Sequence, residues 1–355
     1  MSDLRYDPIF GQWAVIAEKR NSRPVEFQQF SQRRAGIDCP FCVGNESVTP
    51  QPLEVWSADG PLSESIPNWL VRVLPNKFPA LDTNLEVLGD ASADDAENSA
   101  FQDPSQQGID SRSTHQEQAS IIPYQEVLVL SPRHVVSLSG LNDVELSTSF
   151  EVMQARFNFH RSRSEIAHVC LFMNCRPLAG ASIEHSHFQI IAAPICTQQV
   201  RDRVTRMQQP VPGSDESRWQ HNLAWEIKQG ERVIFENQRF VVFCPFASRY
   251  SNQIRIAPKQ QAPFAHLDKT SRDDLAFLCR KWIGGIERCL DDPAYNLVFH
   301  LPPNADSNAA WFVDLIPRFP QSAGFELATE CWVNPVAPET AARQFRDFAS
   351  SHQTT

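Results

Sequence analysis

Two groups of residues in this 355-residue chain have the types and spacing to do chemistry. The first is His185-Ser186-His187, with Gln189 two residues further on. On an extended strand, residues i and i+2 point to the same side, so both imidazoles and the Gln189 amide would serve one site. The second is Cys39-Pro40-Phe41-Cys42, two thiolates at the spacing with which a single turn grips one metal ion. A zinc ribbon needs a second such pair, which the chain lacks. Histidines are the natural source of the other two ligands of a tetrahedral site: His134 and one member of the 185/187 pair complete a Cys2His2 set. Four protein ligands leave no open position, so the ion would be structural. The other histidine of the pair, held close to a fixed ion, is a neutral imidazole able to attack phosphorus. Gln189 can hydrogen-bond a phosphoryl oxygen, and backbone amides around Gly180, Ala181 and Ser182 can cradle phosphate. The chemistry implied is nucleotidyl or phosphoryl transfer through a phosphohistidine-type intermediate.

These residues need elements to position them. Small residues at 179–182 lead into the histidines and an apolar run at 188–191 leads out, which reads as a loop entering a buried strand. Strands are also predicted at 13–17, 71–74, 126–130 and 168–172, and Leu146, Phe150, Met153 and Phe157 give 142–163 a helical period. A weaker copy of this order follows: strands at 240–245 and 253–258, a helix at 273–290, then strands at 296–300 and 311–317. The interval from Pro132 to His187 nearly equals that from Pro258 to Asp314, which suggests a duplicated unit. Residues 1–197 would form a catalytic half with the metal site and 198–355 a second half, joined by a linker around 198–217. Within the first half, residues 82–120 shift to Asp, Ser, Gln and Asn and read as a polar, exposed insertion.

Composition narrows the function classes. The chain is 42% hydrophobic and 21% charged, with a formal net charge of -10. That acidic balance argues against non-specific binding to nucleic acid or to an anionic membrane, while a pocket for a nucleotide needs only a few local cations. No apolar run approaches a membrane span and no signal peptide is evident, so a cytoplasmic protein is expected. Nine cysteines in a reducing compartment are thiols or metal ligands rather than disulfides. Cys170, Cys175, Cys196, Cys244, Cys279, Cys289 and Cys331 are isolated and read as buried structural thiols.

At this point the residues reach a resemblance. The chain resembles the galactose-1-phosphate uridylyltransferase family, the transferase branch of the histidine-triad superfamily. The likeness rests on Arg20 with Arg23-Pro24, the segment from Cys39 to Gly44, Pro75-Asn76-Lys77-Phe78-Pro79, Ser131-Pro132-Arg133-His134, Asn174, the run from Ala179 to Gln189, and Ala323-Gly324-Phe325-Glu326-Leu327. It implies an α+β fold of two histidine-triad-like halves, antiparallel sheets with packed helices, related by internal duplication. It implies one structural zinc per chain on Cys39, Cys42, His134 and His185, with His187 as the nucleophile and Gln189 on the transferring phosphoryl group. Arg20, Arg23, Asn76, Asn174, Gly180 and Ser182 would line the nucleotide and phosphate site, and Phe325 and Glu326 would add sugar contacts. The implied activity is a UDP-glucose:hexose-1-phosphate (galactose-1-phosphate) uridylyltransferase working by double displacement. Its ligands would be a nucleotide sugar and a sugar 1-phosphate, and the family precedent is a homodimer.

Three positions depart from the family. Ser186 stands where uridylyltransferases commonly carry proline, and a serine there resembles the related ADP-glucose phosphorylase branch. An adenylyltransferase of that kind is therefore an alternative. A non-catalytic, zinc-stabilised nucleotide-binding protein is a third reading, against which the intact His187 and Gln189 argue. In some members a second metal uses histidines of the C-terminal half; His300 remains here, but Phe312 and Asp314 replace its companions, so that metal is expected to be absent or very weak. Finally, Cys175-Arg176-Pro177 replaces a small, glycine-containing turn near the base or ribose.

Overall fold

The apolar alternation that marks the strands also decides which face of the sheet carries chemistry. The computed structural model describes residues 3–18, 39–62, 68–79, 124–306, 308–319 and 323–351. Arg20, Arg23 and the 82–120 insertion lie outside the described residues. The first half contains β1 (Asp3–Asp7), β2 (Gln12–Ile16), β3 (Glu54–Ser57), β4 (Gly60–Leu62), β5 (Val71–Pro75), β6 (Tyr124–Val129), α1 (Asp143–Arg161), β7 (His168–Cys175) and β8 (His187–Ala193). The second contains α2 (Gln198–Gln208), α3 (Arg218–Gln229), β9 (Val233–Glu236), β10 (Phe240–Phe243), β11 (Ile254–Pro258), α4 (Lys269–Cys289), β12 (Ala294–His300) and β13 (Phe312–Arg318). It ends with α5 (Gly324–Thr329), β14 (Trp332–Asn334) and α6 (Pro338–Ser351). The class is α+β, as expected.

Two details differ from the sequence reading. The segment expected as a linker contains α2 and ends at Ser217, the N-cap of α3; Val204 and Met207 bury one side of the otherwise polar α2. The two antiparallel sheets are also fused into one of eleven strands, ordered β4-β3-β5-β6-β8-β7-β12-β13-β11-β10-β9. The join is the antiparallel pairing of β7 with β12, in which Asn174 faces Asn296 and Phe172 faces Val298. Six strands lie on the β7 side of that join and five on the β12 side. A small separate sheet, β1-β2-β14, ties the N-terminus to the C-terminal segment.

One face of the large sheet holds the main core. Val169, Leu171 and Met173 of β7 and Phe188, Ile190 and Ala192 of β8 point into it, beneath α1, α4 and α6. Phe188 meets Phe150 of α1 edge-on, and burying each such ring contributes roughly 2–3 kcal/mol. On the opposite face, the first half is covered by the cluster of Cys39, Phe41, Val55, Trp69, Leu74 and Val129. The second half is covered by α2, α3 and the turn after β1, through Met207, Trp219, Leu223 and Ile9. Between these covers, half-buried Gln189, Phe172, Asn174, Asn296 and Val298 form a strip along β8, β7 and β12.

His168, at the edge of that strip, makes a stability prediction. Its Nε2 lies 3.3 Å from the Leu301 carbonyl, and burial pushes its pKa down to about 4. The folded chain therefore holds this ring neutral, while the unfolded chain protonates it near its ordinary value of 6.5. Its stability contribution is complete above pH 6.5 and is lost as pH falls from there toward 4, by about 3 kcal/mol if realised in full. Urea midpoints should fall across that window. His168→Gln, neutral and still able to donate, should flatten the fall; an unchanged slope would show that His168 does not contribute.

Candidate active site and metal cluster

The loop that carries His134 is set by α1. The side chain of Asn142 caps the helix, and Glu145 caps it in return. The same Glu145 carboxylate accepts hydrogen bonds from the Ser131 hydroxyl (2.7 Å) and from Arg133, the two residues that frame the turn into His134. Across the loop, the Val43 amide donates to the Pro132 carbonyl at 2.9 Å, docking the cysteine turn beside it. That turn is closed by the Cys42 amide on the Cys39 carbonyl and by Gly44 at φ 90°, a conformation that glycine adopts without strain.

His185, two residues before the start of β8, completes a cluster. Cys39 Sγ lies 3.4 Å from His185 Nδ1, Cys42 Sγ 3.6 Å from the same atom, and Cys42 Sγ 3.3 Å from His134 Nδ1. All four ligand atoms fall within 4.8 Å of one another, so the cluster could hold a metal ion. A tetrahedral ion with sulfur at about 2.3 Å and nitrogen at about 2.0 Å sets S···N separations of about 3.6 Å, so the donor geometry fits. Orientation fits as well: His185 Nε2 donates to the Ser131 carbonyl at 2.9 Å, which leaves the Nδ1 lone pair facing both sulfurs. Burial pushes the Cys42 thiol up to about 11, with the neighbouring Cys39 adding to the shift, and it pushes His185 down to about 4. A cation among them reverses the thiol side of that balance, since thiolates bind metal and thiols do not.

His187 is excluded from this group and held differently. Its Nδ1 lies 2.7 Å from the His185 carbonyl oxygen. A carbonyl only accepts, so Nδ1 carries the proton and the lone pair sits on Nε2. Burial lowers the pKa of the ring, which favours the neutral form, and Phe41 packs edge-on against it with ring centroids 5.5 Å apart. Ser186 anchors the link between the two histidines through its backbone: its amide donates to the Val135 carbonyl at 2.6 Å and its carbonyl accepts from the Leu130 amide. Proline at this position would have no N–H to make the first of these bonds.

Other expected residues fall in two groups. Gln189 follows His187 on the same side of β8 and pairs in register with Phe172. The register of β7 with β8 carries on to set Asn174 beside His187 at the end of the pair. Gly180 and Ser182 lie on the exposed loop above. Two of the three amides expected to cradle phosphate are used within that loop, Gly180 N on the Pro177 carbonyl and Ala181 N on the Arg176 carbonyl. The cause is the tight turn that Gly180, at φ 91°, permits. Arg176, at φ 72°, turns its guanidinium to the Asp292 and Pro293 carbonyls of the second half. Asn76 caps its own turn by accepting from the Phe78 amide. Phe325 and Glu326 are on α5, which packs on β14 of the small sheet rather than on the strip; Glu326 accepts from the Ala323 amide at the helix start.

Sequence reasoning missed three contributors. Phe41 was seen only as part of a turn. Ser131 acts through its carbonyl, which no residue type reveals. Asn296 is one more residue of a strand by pattern alone, although an amide beside Leu297, Val298 and Phe299 is a detectable signal. In the second half, Asp314 accepts from Arg255 at 2.7 and 2.9 Å and from Gln253 at 3.0 Å, and it faces His300 at 3.1 Å. Arg255 thus provides the positive charge opposite this carboxylate. Phe312 stacks on Trp219 with ring centroids 5.1 Å apart.

The fold and site can be set beside known proteins. Residues 142–350 match a family model described as a domain of unknown function, DUF4921. The protein from Arabidopsis thaliana named ADP-glucose phosphorylase is 29% identical, over 98% of this chain and 93% of that protein. The Thermotoga maritima galactose-1-phosphate uridylyltransferase is 21% identical, over 98% of each chain. A crystal structure of the Arabidopsis ADP-glucose phosphorylase with bound ADP-glucose superposes with a TM-score of 0.76 at 27% identity, covering 98% of this chain and 99% of that one. A uridylyltransferase structure at 18% identity has the same fold, with a TM-score of 0.64 over the whole of both chains. No helix among the described residues is long and apolar enough to cross a membrane.

Proposed function

The chain belongs to the DUF4921 family, whose description assigns no reaction, and from its site we propose that it is a nucleotidyltransferase working through a nucleotidyl-His187 intermediate. The observation that carries this is the fixed tautomer of His187, with Nδ1–H on the His185 carbonyl and Nε2 left as the nucleophile. Nε2 attacks the α-phosphorus of a nucleotide sugar, an N–P bond forms, and the P–O bond to sugar 1-phosphate breaks with its electron pair. As the ring gains positive charge, the Nδ1–H bond to the His185 carbonyl strengthens and holds that charge. Gln189, on the same side of the strand, offers its amide to a phosphoryl oxygen. An incoming phosphate oxygen then displaces the histidine, reforming neutral His187. Cys39, Cys42, His134 and His185 would hold one zinc ion, whose part is to fix the loop from which His187 projects.

The choice of nucleotide is the finer question. An adenylyl transfer from an ADP-sugar is supported by the relative named ADP-glucose phosphorylase and by the structure of that protein with ADP-glucose. Uridylyl transfer between hexose 1-phosphates, the activity implied by the sequence resemblance, is supported by the uridylyltransferase relatives. Both use the same residues. Nucleotide sugar and sugar 1-phosphate are the ligands of either reading, and a homodimer is part of the proposal, with Phe325 and Glu326, which lie away from the strip of their own chain, as sugar contacts across the dimer. Incubation with ADP-glucose and, separately, UDP-glucose, followed by mass spectrometry of the peptide containing His187, decides the matter. An adenylyl adduct is expected. A uridylyl adduct alone moves the assignment to the second reading, and no adduct with either sugar favours the non-catalytic one.

A further inference from the structure

We infer that Asn296, from the second half of the chain, is a positioning residue for nucleotidyl transfer, orienting the Asn174 amide and the turn at Ala179 and Gly180 beside His187. The inference rests on the reading of the site given above. Asn296 Nδ2 lies 2.8 Å from the Ala179 carbonyl and 2.8 Å from Asn174 Oδ1. The first contact removes the ambiguity of the amide: a carbonyl only accepts, so the atom facing it must be the NH2 group. Both hydrogens of that group are then used, one on each partner. It follows that Asn174 presents its oxygen to Asn296 and keeps its own NH2 to offer elsewhere. That NH2 lies against Gly180, where a Cβ would stand 3.6 Å from it.

Position in the sheet gives this orientation its consequence. Asn296 pairs with Asn174 across the join of the two halves. Continuing the register of β7 with β8 one step beyond Met173 opposite Phe188 brings Asn174 across from His187. The three side chains therefore stand in one row on adjacent strands, about 4.8 Å apart from strand to strand. A phosphoryl group held at His187 Nε2 is anionic and gains charge on its oxygens as it is attacked. An Asn174 amide turned one way offers it a donor. Turned the other way, it offers an oxygen and repels it. Nothing in the shape of an asparagine selects between these, since its two ends are nearly the same size. Asn296 makes the selection, and it also holds the Ala179 carbonyl away from the phosphoryl site. In this way the second half reaches the chemistry of the first.

The test is single-turnover labelling of His187, with ADP-glucose and UDP-glucose each brought to saturation. Asn296→Ala should lower the saturated rate about 30- to 100-fold while the half-saturating concentration changes by less than about threefold. Zinc content and thermal midpoint should stay close to the parent's. Asn174→Ala should show a loss of similar size, and the double variant should be no slower than either single one, because Asn296 acts through Asn174. Losses that multiply in the double variant would show an independent, merely structural role and overturn the inference, as would an Asn296→Ala chain labelled at the parental rate. Should the alanine variant lose zinc or melt early, Asn296→Ser, which cannot span both acceptors, is expected to give the same rate loss and the same non-additivity. A parent chain labelled by neither sugar defeats the reading of the site and this inference with it. Labelling of the parent with no effect of the variants defeats the inference alone.

Discussion

A chain carrying His187→Gly is expected to lose nucleotidyl transfer by on the order of 10⁴-fold or more while keeping about one zinc per chain. The two halves of that result have separate causes. Glycine removes Nε2, the atom proposed to bond phosphorus, so the covalent intermediate cannot form and direct attack by the incoming phosphate is all that remains. The metal set of Cys39, Cys42, His134 and His185 does not include His187, and His185 keeps its orientation through the Ser131 carbonyl. What the variant does lose inside the protein is the bond from His187 Nδ1 to the His185 carbonyl and the contact with Phe41. Metal analysis and labelling of the same preparation check both parts. Loss of zinc in parallel with activity would mean that the roles of the two histidines are reversed.

Cys39→Ser should act on stability first and on activity as a consequence. Serine keeps the size of the side chain but binds zinc poorly, and it leaves three ligands in a site built for four. The free energy of a structural zinc is folding free energy, so the variant should lose roughly 3 kcal/mol or more and hold well under one zinc per chain. The damage should spread along the connections that hold the cysteine turn. The cysteine turn is docked on the Pro132 carbonyl, and the Phe41 carbonyl accepts from the buried Arg72 guanidinium. Loosening the turn therefore loosens the apolar cover of Phe41, Val55, Trp69 and Leu74 over the first half. Denaturant titration with and without a chelator measures this. Equal midpoints for parent and variant, with full metal in both, would remove zinc from the proposal.

Much of the secondary structure was legible, and the particular elements show why. The helix expected at 142–163 is α1, Asp143–Arg161, because its capping asparagine, its apolar period and its basic end all agree locally. Strands β7, β8 and β12 alternate between a core face and a half-buried second face, and β13 is an almost wholly buried run; all four match the expected strands within a few residues. The expected linker failed because α2 is held by only three buried residues, Arg203, Val204 and Met207, too few to mark a period in a polar sequence. The fusion of two sheets into one could not be read at all. It depends on β7 finding β12, and each strand alone reads equally well as the edge of its own sheet.

Which residues could do the chemistry is legible from the chain alone. Thiols at Cys39 and Cys42, imidazoles at His134, His185 and His187, and amides at Asn174 and Gln189 are facts of composition and spacing. Their presence on a loop and a strand follows from local pattern, and the resemblance to a known family assigned them provisional roles. What each one is able to do depends on the partners that folding brings to it. His185 faces the sulfurs because a carbonyl 54 residues away takes its other nitrogen, and His187 offers Nε2 because the His185 carbonyl takes Nδ1. Asn174 offers a donor because Asn296, 122 residues away, takes its oxygen. The physical reason is the same in each case: imidazole and amide groups are nearly symmetric in shape, and only a hydrogen-bond partner brought by the fold breaks the symmetry.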